Sequence, residues 1–510
     1  MASFPDTPNS TIAELSRRHL EDVVAIDSCS DETSTTVPST PGQRELSLHL
    51  ERFFAGLGAR VEVDEYANLI ATVEGRGAAA GKPALALMIH LDTARGTEAV
   101  EKLDDVPGWD GSKIPYAQND RLYVSVEHYP ATRPFVGQQL LFGSGRAPFG
   151  LDDKLGLAHL MTLVQLLADN PDIEHRPLFI VARPDEEIGR MEALVGLAEL
   201  LRERGVDSAY TIDGIAPFEI NVESFNGMGA QVRFPRRVSS EVDGEVVRVE
   251  LFGVNTHGAT AKAEGHRSAL RFAAQLHQRL SAQPFTFLGF ESDAVRDCDG
   301  VLHVAVGEGA SVEGLDAALQ EMIAPHVPRG AGYRVTAGGP RQRDAAIEAV
   351  LRFVSGYMAT SPGFTLWAED SDERDGYSQP FRVRVSEDSL CLDIRIRDFA
   401  VEGLAARRQH LAQFAADQAI EFSHHYDNMG TRMAARPDLV ETALAAADEV
   451  GVSAPIRPIR GGTGVDPFLE RGIYVANLGT GYFAPESEKE FTSLELMAQH
   501  ARWLVALVQK

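Results

Sequence analysis

Cysteine is scarce in this sequence, which has Cys29, Cys298 and Cys391 in 510 residues. Their spacing fits no zinc motif and builds no disulfide framework, which favours a reducing, cytoplasmic compartment. No uninterrupted apolar stretch reaches the roughly 18 residues that a membrane helix needs. The amino-terminal segment holds charged side chains and no apolar core. We therefore expect neither a signal peptide nor a membrane partner.

Positive charge is in deficit, since 48 Lys and Arg stand against 74 Asp and Glu, a net charge of −26 at pH 7. A nucleic-acid partner would need a basic face, so this balance argues against one. An acidic surface is also common among ordinary globular proteins, and the charge alone therefore indicates no function.

Hydrophobic patterning divides the chain into two kinds of region. At about 150 residues per domain, the length predicts two or three domains. Short apolar runs alternate with helical patterns towards both ends of the chain, which predicts an α/β domain formed by residues 1–225 and 425–510. Its predicted strands are 84–89, 178–182, 209–212 and 473–478, and its predicted helices are 155–168, 191–204 and 493–509.

The middle of the chain, 226–424, combines strands of period-2 alternation with amphipathic helices, which predicts an inserted α+β domain. Val-Glu-Gly-Leu occurs at 312–315 and again at 401–404, and Ala-Leu-Arg-Phe at 269–272 resembles Val-Leu-Arg-Phe at 350–353. Four-residue matches also arise by chance, so a single and a doubled insert both stay open. Its clearest predicted strands are 245–251, 381–385 and 389–396.

Acidic side chains and one histidine follow the predicted strands of the α/β domain. Ligands collect at the carboxyl ends of strands in open α/β sheets, so these side chains should converge. Buried carboxylates are costly unless a cation compensates them, and divalent metals suit a His, Asp and Glu set. Singly, each residue is more often a helix cap or a turn residue, but their shared placement is specific. They are His90, Asp92, Asp152, Asp153, Asp185, Glu186, Glu187 and Asp213.

These segments resemble the signatures of the peptidase T family, the tripeptide aminopeptidase branch of the di-zinc carboxypeptidase G and aminoacylase superfamily. The likeness covers nearly the whole chain except a segment near 285–374. It implies a mixed-sheet, phosphorylase/hydrolase-like catalytic domain with an inserted α+β lid domain, enlarged or doubled by that segment. The matching segments are 37–43, 90–93, 150–154, 184–189, 210–214, 255–257, 396–399, 459–463 and 489–491.

The resemblance implies one or two divalent metal ions, Zn²⁺ or Mn²⁺. Asp152 would bridge the two ions, His90 and Asp213 would complete the first site, and Glu187 would bind the second. It also implies a cis peptide bond between Asp152 and Asp153.

The resemblance also implies roles around the metals. Glu186 would be the general base, and Asp92 would orient His90 through its other ring nitrogen. His257 would be the lid histidine that stabilises the oxyanion, with a surface loop histidine as the alternative. Arg397 would bind a substrate carboxylate, with a salt bridge to Asp398 or to another strand residue as the alternative.

The sequence departs from the family pattern at the last metal ligand. Counting back from Glu490, the expected histidine aligns with Glu486, or with Glu488 if the alignment slips. The second site would then be Asp152, Glu187 and Glu486, all oxygen donors, which favours Mn²⁺ or Mg²⁺ over Zn²⁺ or weak binding. A solvated Glu486 and a lost second site stay open as the alternative.

A second departure lies in the loop expected beside the substrate. The family's Gly-Gly-Thr-Asp becomes Gly461, Gly462, Thr463 and Gly464 in this chain. We expect Gly462 and Thr463 to contact the substrate, and the alternative is a turn without such a contact.

These features together predict a metal-dependent hydrolase that cleaves an amide bond of a small substrate, most simply an aminopeptidase acting on tripeptides or short peptides. The altered residues also allow a non-peptide amidohydrolase or an aryl-amine hydrolase. A degenerate scaffold that binds a partner through the lid fits less well, because the site residues are retained. In dimeric relatives the partner's lid histidine completes the active site, so we expect a homodimer or a monomer with a doubled lid.

Overall fold

A computed structural model describes residues 6–510, and only the backbone of Ser240 and Glu241. The described chain divides into two compact units. The first unit comprises the chain up to Asn119, Ser125–Ser224 and Asn428–Lys510. The second comprises Asp120–Val124 and Phe225–Asp427.

The helices are given first in chain order. They are α1 (Asn9–Val24), α2 (Pro41–Gly56), α3 (Leu151–Asp169), α4 (Glu192–Glu203), α5 (Ala261–Glu264), α6 (Ala269–Leu280), α7 (Val312–Ile323), α8 (Ala345–Thr360), α9 (Val401–Phe414), α10 (Gly430–Met433), α11 (Pro437–Val450), α12 (Asp466–Glu470) and α13 (Leu494–Gln509).

The strands are numbered in the same way. They are β1 (Arg60–Val63), β2 (Leu69–Val73), β3 (Leu85–His90), β4 (Asp104–Val106), β5 (Leu140–Phe142), β6 (Leu178–Arg183), β7 (Ser208–Gly214), β8 (Ile220–Asn221), β9 (Asn226–Pro235), β10 (Val238–Glu241), β11 (Glu245–Phe252), β12 (Phe285–Ser292), β13 (Gly300–Val306), β14 (Gly332–Ala337), β15 (Gln342–Asp344), β16 (Tyr377–Val385), β17 (Ser389–Asp398), β18 (Ala419–Tyr426), β19 (Tyr474–Gly479), β20 (Tyr482–Phe483) and β21 (Phe491–Ser493).

The main sheet of the first unit is mixed, with the order β1-β2-β6-β3-β7-β19-β8. Its central strands β6, β3, β7 and β19 are parallel, and β1, β2 and β8 pair antiparallel at the edges. All residues of β3 and β6 are buried, which explains why both strands are continuous apolar runs in the sequence. A smaller antiparallel sheet has the order β20-β21-β5-β4.

Helix α3 lies close against the parallel strands, in contact with β3 and β7. The approach is possible because residue 156 is glycine: a Cβ there would lie 1.9 Å from the carbonyl oxygen of Ile212 and 2.2 Å from Oδ1 of Asp153. Helices α1 and α13 pack on α3 and on each other. This packing places the start of α3 beside the carboxyl ends of the strands.

The second unit contains the same topology twice. Strands β11, β12, β13 and β14 form an antiparallel sheet of order β12-β13-β11-β14, with α6 and α7 inserted after its first and third strands. Strands β9, β16, β17 and β18 form a sheet of order β16-β17-β9-β18, with α8 and α9 at the same positions. We call these the nested copy and the outer copy. The inserted domain is therefore doubled.

The nested copy interrupts the outer copy after β9. It runs from β11 to β14, and the short strands β10 and β15 pair antiparallel where the chain enters and leaves it. The nested copy does not coincide with the segment 285–374 that the resemblance leaves uncovered. That segment contains the later part of the nested copy, from β12 to β14, and then α8 of the outer copy. The four-residue echoes fall on equivalent helices, α6 with α8 and α7 with α9.

The structure confirms the predicted fold class, a mixed-sheet α/β domain with an inserted α+β domain, and of the single and doubled inserts that stayed open it has the doubled one. The predicted strand 84–89 corresponds to β3, and the predicted helix 191–204 corresponds to α4. Within residues 6–510, no helix has the length and apolar character needed to cross a membrane.

Candidate active site

The candidate residues of the first unit converge at one edge of its main sheet. His90 ends β3, Asp213 lies near the end of β7, and β6 leads into the turn at 184–187. Because β3, β6 and β7 are parallel, their carboxyl ends face the same edge. Asp152 reaches this edge from the first turn of α3.

The imidazole of His90 is 2% exposed and lies between two sets of acceptors. Its Nε2 is 3.0 Å from Oδ1 of Asp152 and 3.4 Å from Oδ1 of Asp213, while its Nδ1 is 2.9 Å from the main-chain carbonyl of Asp92. Burial lowers the pKa of His90, but the carboxylates of Asp213, Asp152 and Asp92 outweigh burial and raise that pKa well above its ordinary value. Asp92 thus holds one ring nitrogen, and the other faces the acidic cluster.

Asp152 and Asp153 begin α3 with non-helical backbone angles, and the peptide bond between them is cis, as the resemblance implies. Oδ2 of Asp152 accepts a hydrogen bond from the hydroxyl of Tyr482 at 3.1 Å. Oδ2 of Asp153 accepts one from the amide of His90 at 3.2 Å. Burial, followed by the charge of Asp213, raises the pKa of Asp153 well above its ordinary value.

The side chain of Asp92 fixes the turn that presents Glu186 and Glu187. Its Oδ1 accepts the amide hydrogen of Glu186 at 2.9 Å, and its Oδ2 accepts that of Glu187 at 3.0 Å. Oδ1 of Asp92 also lies 3.4 Å from Nδ1 of His90. One buried carboxylate therefore links the histidine to both glutamates.

Asp185 anchors the same turn from the other side. Its φ of 55° lies in the left-handed region, which non-glycine residues rarely adopt. Its buried carboxylate accepts the amide hydrogen of Ser39 at 2.8 Å and the side-chain amide of Gln43 at 2.7 Å. Gln43 in turn accepts the amide hydrogen of Asp185 at 3.0 Å. The segment 37–43 that the resemblance singled out thus fixes the glutamate turn.

Glu187 points towards other carboxylates. Its Oε1 is buried and has no hydrogen-bond partner in the described part of the chain. Burial, then the charges of Glu486 and Asp152, raises the pKa of Glu187 well above its ordinary value. Glu486 therefore lies near Glu187, although it is in neither of the groups of candidate metal ligands among the described residues. The alternative residue, Glu488, is buried in an ion pair with Lys489, whose Nζ lies 3.3 Å from its Oε1.

Glu490 joins the segments that present Asp152 and Glu486. Its Oε2 accepts the amide hydrogens of Phe149 and Gly150, both at 3.0 Å, and its Oε1 accepts that of Glu486 at 2.9 Å. Burial raises the pKa of Glu490 to about 8. Glu490 therefore acts as a buried connection between two loops of the site.

The donor set fits divalent metal ions. Two groups of side chains, His90 with Asp153 and Asp213, and His90 with Asp152 and Glu187, each offer ligand atoms within 4.8 Å of one another. Burial also raises the pKa of Asp213 to about 7. Carboxylates buried this close together lose hydration and repel one another, and divalent cations compensate both effects.

His257 lies in the second unit, in the loop between β11 and α5 of the nested copy. It is half-buried, and its Nδ1 accepts the amide hydrogen of Ala259 at 3.2 Å. The loop is also closed by the amide of Thr260, which donates to the carbonyl of His257 at 3.2 Å.

Arg397 lies in β17 of the outer copy. Its Nη1 donates to the carbonyl of Met228 at 2.9 Å, and its guanidinium lies 5.1 Å from the ring centre of Tyr426. Asp398, the partner considered as the alternative, instead accepts a hydrogen bond from Arg407 at 2.8 Å. The two lid candidates, His257 and Arg397, therefore belong to different copies of the repeat.

The Gly-Gly-Thr loop lies in the first unit. Gly462 is half-buried, and Thr463 is 3% exposed. The hydroxyl of Thr463 lies 3.9 Å from the sulfur of Met429, and its carbonyl accepts a hydrogen bond from Arg183 at 2.9 Å. These contacts are internal to the unit.

Residues 147–510 match peptidase family M20/M25/M40. The chain belongs to this family. Peptidase T of Macrococcus caseolyticus is 25% identical over 504 residues, which cover 96% of this chain and 97% of that protein. Peptidase T of an Exiguobacterium species is 34% identical over 261 residues, 50% of this chain and 57% of that protein.

Two solved structures are similar to this chain in fold. The aminopeptidase PepT of Bacillus cereus has a TM-score of 0.51 and 17% identity, covering 97% of this chain and 98% of its own. A tripeptidase of Staphylococcus aureus has a TM-score of 0.52 and 16% identity, covering 98% of each chain. These likenesses show that the fold is shared.

M20/M25/M40 membership confirms the predicted family, and with it the prediction of a metallopeptidase that hydrolyses amide bonds. Asp153 was not predicted as a metal ligand, although it follows Asp152 in the same loop. No anchoring role was predicted for Arg183, Ser39, Gln43 or Glu490. The segment 37–43 was a usable signal for two of them, whereas Arg183, at the end of β6, matched no motif.

Proposed function

We propose that this chain is a metal-dependent aminopeptidase that removes the amino-terminal residue from tripeptides and other short peptides. The main support is that relatives named peptidase T match it over nearly its whole length. The metal dependence is supported by the clustering of the buried His90 with the half-buried Asp152, Asp213 and Glu187.

His90, Asp152 and Asp213 would hold one ion, and Asp152, Glu187 and Glu486 would hold the other. Divalent cations lower the pKa of bound water to about 7 and polarise the scissile carbonyl. Asp153 is a further candidate, since it groups with His90 and Asp213.

Glu186 is the residue we assign as general base. Its side chain is 17% exposed, so Glu186 is accessible at the edge of the sheet where the buried His90 and the acidic side chains meet. It would take a proton from the attacking water and pass it to the leaving amine. Asp92 holds the main chain of Glu186 while this transfer takes place, because it binds the amide.

The predicted donors of the second site bear on which metal it prefers. If Glu486 takes the place of the family's histidine, the site has only oxygen donors, and hard oxygen donors suit Mn²⁺ better than imidazole does. We therefore propose that the second site prefers Mn²⁺ to Zn²⁺. Calorimetric titration of the metal-free protein, with Glu486→His as the comparison, tests this preference.

We propose that the doubled lid allows the chain to act as a monomer. His257 comes from the nested copy and Arg397 from the outer copy, so one chain supplies both lid residues from two modules. Multi-angle light scattering should give a mass near 55.4 kDa. An obligate dimer would contradict the proposal. The free thiols of Cys29, Cys298 and Cys391 support a cytoplasmic location.

The decisive experiment compares a free tripeptide with its N-acetylated form, using protein stripped of metal and resupplied with Zn²⁺ or Mn²⁺. We expect cleavage of the free peptide alone. Cleavage of neither peptide would reject the aminopeptidase and favour a non-peptide amide or an aryl amine as the substrate. This second candidate function is retained because Glu486 and Gly464 differ from the family pattern.

A further inference from the structure

Arg183 is the last residue of β6, and its side chain is 1% exposed at the edge where the site residues meet. Its Nη2 donates to the carbonyl oxygen of Thr463 at 2.9 Å and lies 3.8 Å from Oε1 of Glu186. Its Nη1 is buried and has no hydrogen-bond partner among the described residues. The guanidinium therefore lies between Glu186 and the loop that contains Thr463.

Gly464 faces the same two side chains. Its φ of 56° is left-handed, and a Cβ at this position would lie 2.7 Å from Nη1 of Arg183 and 2.7 Å from Oε1 of Glu186. A side chain at 464 would have to displace one of them. The glycine, one of the two departures from the family pattern, thus provides the space in which Arg183 meets Glu186.

A buried guanidinium is expensive unless it is paired, and apolar side chains of similar volume often replace such groups without loss of stability. The burial of Arg183 is better explained by its two neighbours, the carbonyl oxygen of Thr463 and the carboxylate of Glu186. Arg183 is the cation that joins a loop carbonyl to the proposed general base.

We propose that Arg183 is a positioning residue for Glu186, and that Gly464 is required to admit it. The guanidinium ties the Glu186 carboxylate to the Thr463 carbonyl, so that the base has one orientation when substrate binds. This inference rests on the proposed function of Glu186, and it adds a residue for which neither the sequence motifs nor the resemblance supplied a role.

Kinetics of Arg183→Met and Arg183→Lys test the role. Misplacing a catalytic group by about 1 Å costs up to about 100-fold in rate. We expect Arg183→Met to lower kcat by about 10- to 100-fold with KM changed less than about threefold, and Arg183→Lys to recover part of the loss. Metal content and Tm are measured alongside. Wild-type kcat in a folded, metal-loaded Arg183→Met would overturn the proposal.

Gly464→Ala tests the same contact without touching Arg183. Gly472→Ala is the matched control, because Gly472 has a φ of 74° and no atom within 4 Å of its would-be Cβ. We expect Gly464→Ala to lower kcat by about tenfold or more, and Gly472→Ala to leave it unchanged. Equal kcat values for the two variants would overturn the proposal, and this comparison remains usable if Arg183→Met does not fold.

Crystal structures of the wild type and Arg183→Met separate this inference from the proposed function. If the wild type cleaves no peptide, the aminopeptidase assignment fails, but the position of Glu186 is still measurable. We expect its carboxylate and the Thr463 carbonyl to move apart by more than about 1 Å in the variant. An unmoved pair would reject the positioning role even in an active enzyme.

Discussion

The two units hold their candidate residues by different means. In the first unit, partners come from distant parts of the chain: Asp92 binds the amides of Glu186 and Glu187, and Glu490 binds that of Gly150. In the second unit, His257 is bonded within its own loop, which belongs to one of two modules of equal topology. The site of the first unit is thus assembled by contacts between distant segments. In the second unit, local hydrogen bonds close the loop of His257, whereas Arg397 donates to Met228 on a neighbouring strand.

This difference predicts where substitutions act. A change in the first unit should alter chemistry or folding through several partners at once. A change in the lid should be more local, and its size should depend on which copy it affects. The four predictions below test this contrast, from the largest expected effect to the smallest.

Glu186→Gln should have the largest effect on activity. It removes the proposed base while keeping the shape of the side chain, so we expect kcat to fall by about 10²- to 10⁴-fold. Metal content should stay near that of the wild type, because Glu186 is not a proposed ligand. Glu192→Gln, an exposed change in α4, is the control. Turnover close to wild type in Glu186→Gln would remove this residue from the mechanism.

Gly156→Ala should have the largest effect on stability. Its Cβ would lie 1.9 Å from the carbonyl oxygen of Ile212, so α3 must move away from β7. We expect unfolding to become easier by about 3 kcal/mol or more, since overpacking of this severity exceeds the usual range. Gly196→Ala in α4 is the matched helical control, with no atom within 4 Å, and should stabilise by up to about 1 kcal/mol. Urea denaturation of both variants measures the contrast, and similar midpoints would contradict it.

Much of the first unit could be predicted from the sequence because its signals are local. The buried strands are continuous apolar runs, and His90, Asp152, Glu187 and Asp213 follow strand ends or begin a helix. The order of strands in a parallel sheet then brings them together. The convergence of these acidic residues could therefore be predicted from the sequence pattern alone.

The anchors could not be predicted in the same way. Arg183 follows the predicted strand 178–182 without matching a motif, and only the packing shows that Gly464, 281 positions later, leaves room for its guanidinium. The doubling of the lid gave only four-residue echoes, because a shared topology needs matching patterns of burial and not matching residues. Contacts between distant segments leave little trace in a single sequence.

Glu490→Gln should change how stability depends on pH. Burial raises the pKa of Glu490 to about 8 from an ordinary value of 4.5. A carboxyl whose pKa is higher in the folded state stabilises fully below the unfolded pKa, and this stability is lost as pH rises through the folded value. With metal removed by a chelator, wild-type stability should therefore fall between about pH 4.5 and 8 relative to the variant. The slopes should differ by up to about 1.4 kcal/mol per pH unit, measured by urea denaturation. Parallel profiles would contradict the assignment.

The smallest predicted effect compares the two lid copies at equivalent positions. Gly314 in α7 and Gly403 in α9 both occupy the third residue of Val-Glu-Gly-Leu. A Cβ on Gly314 would meet the hydroxyl oxygen of Ser311 at 3.6 Å, an ordinary contact, so Gly314→Ala should stabilise the chain by about 0.5–1 kcal/mol. A Cβ on Gly403 would lie 2.4 Å from the carboxyl carbon of Asp398, which also binds Arg407.

Gly403→Ala must therefore displace Asp398 from its partner and should destabilise by about 1–3 kcal/mol. If the two copies are packed differently at this position, thermal unfolding should show a higher Tm for Gly314→Ala and a lower Tm for Gly403→Ala. Shifts of the same sign would mean that the copies are alike in packing as well as in topology. The contrast matters because Asp398 directly follows the candidate residue Arg397. In the outer copy the start of α9 packs against the strand that carries Arg397, whereas in the nested copy the equivalent position at Gly314 has room for a side chain.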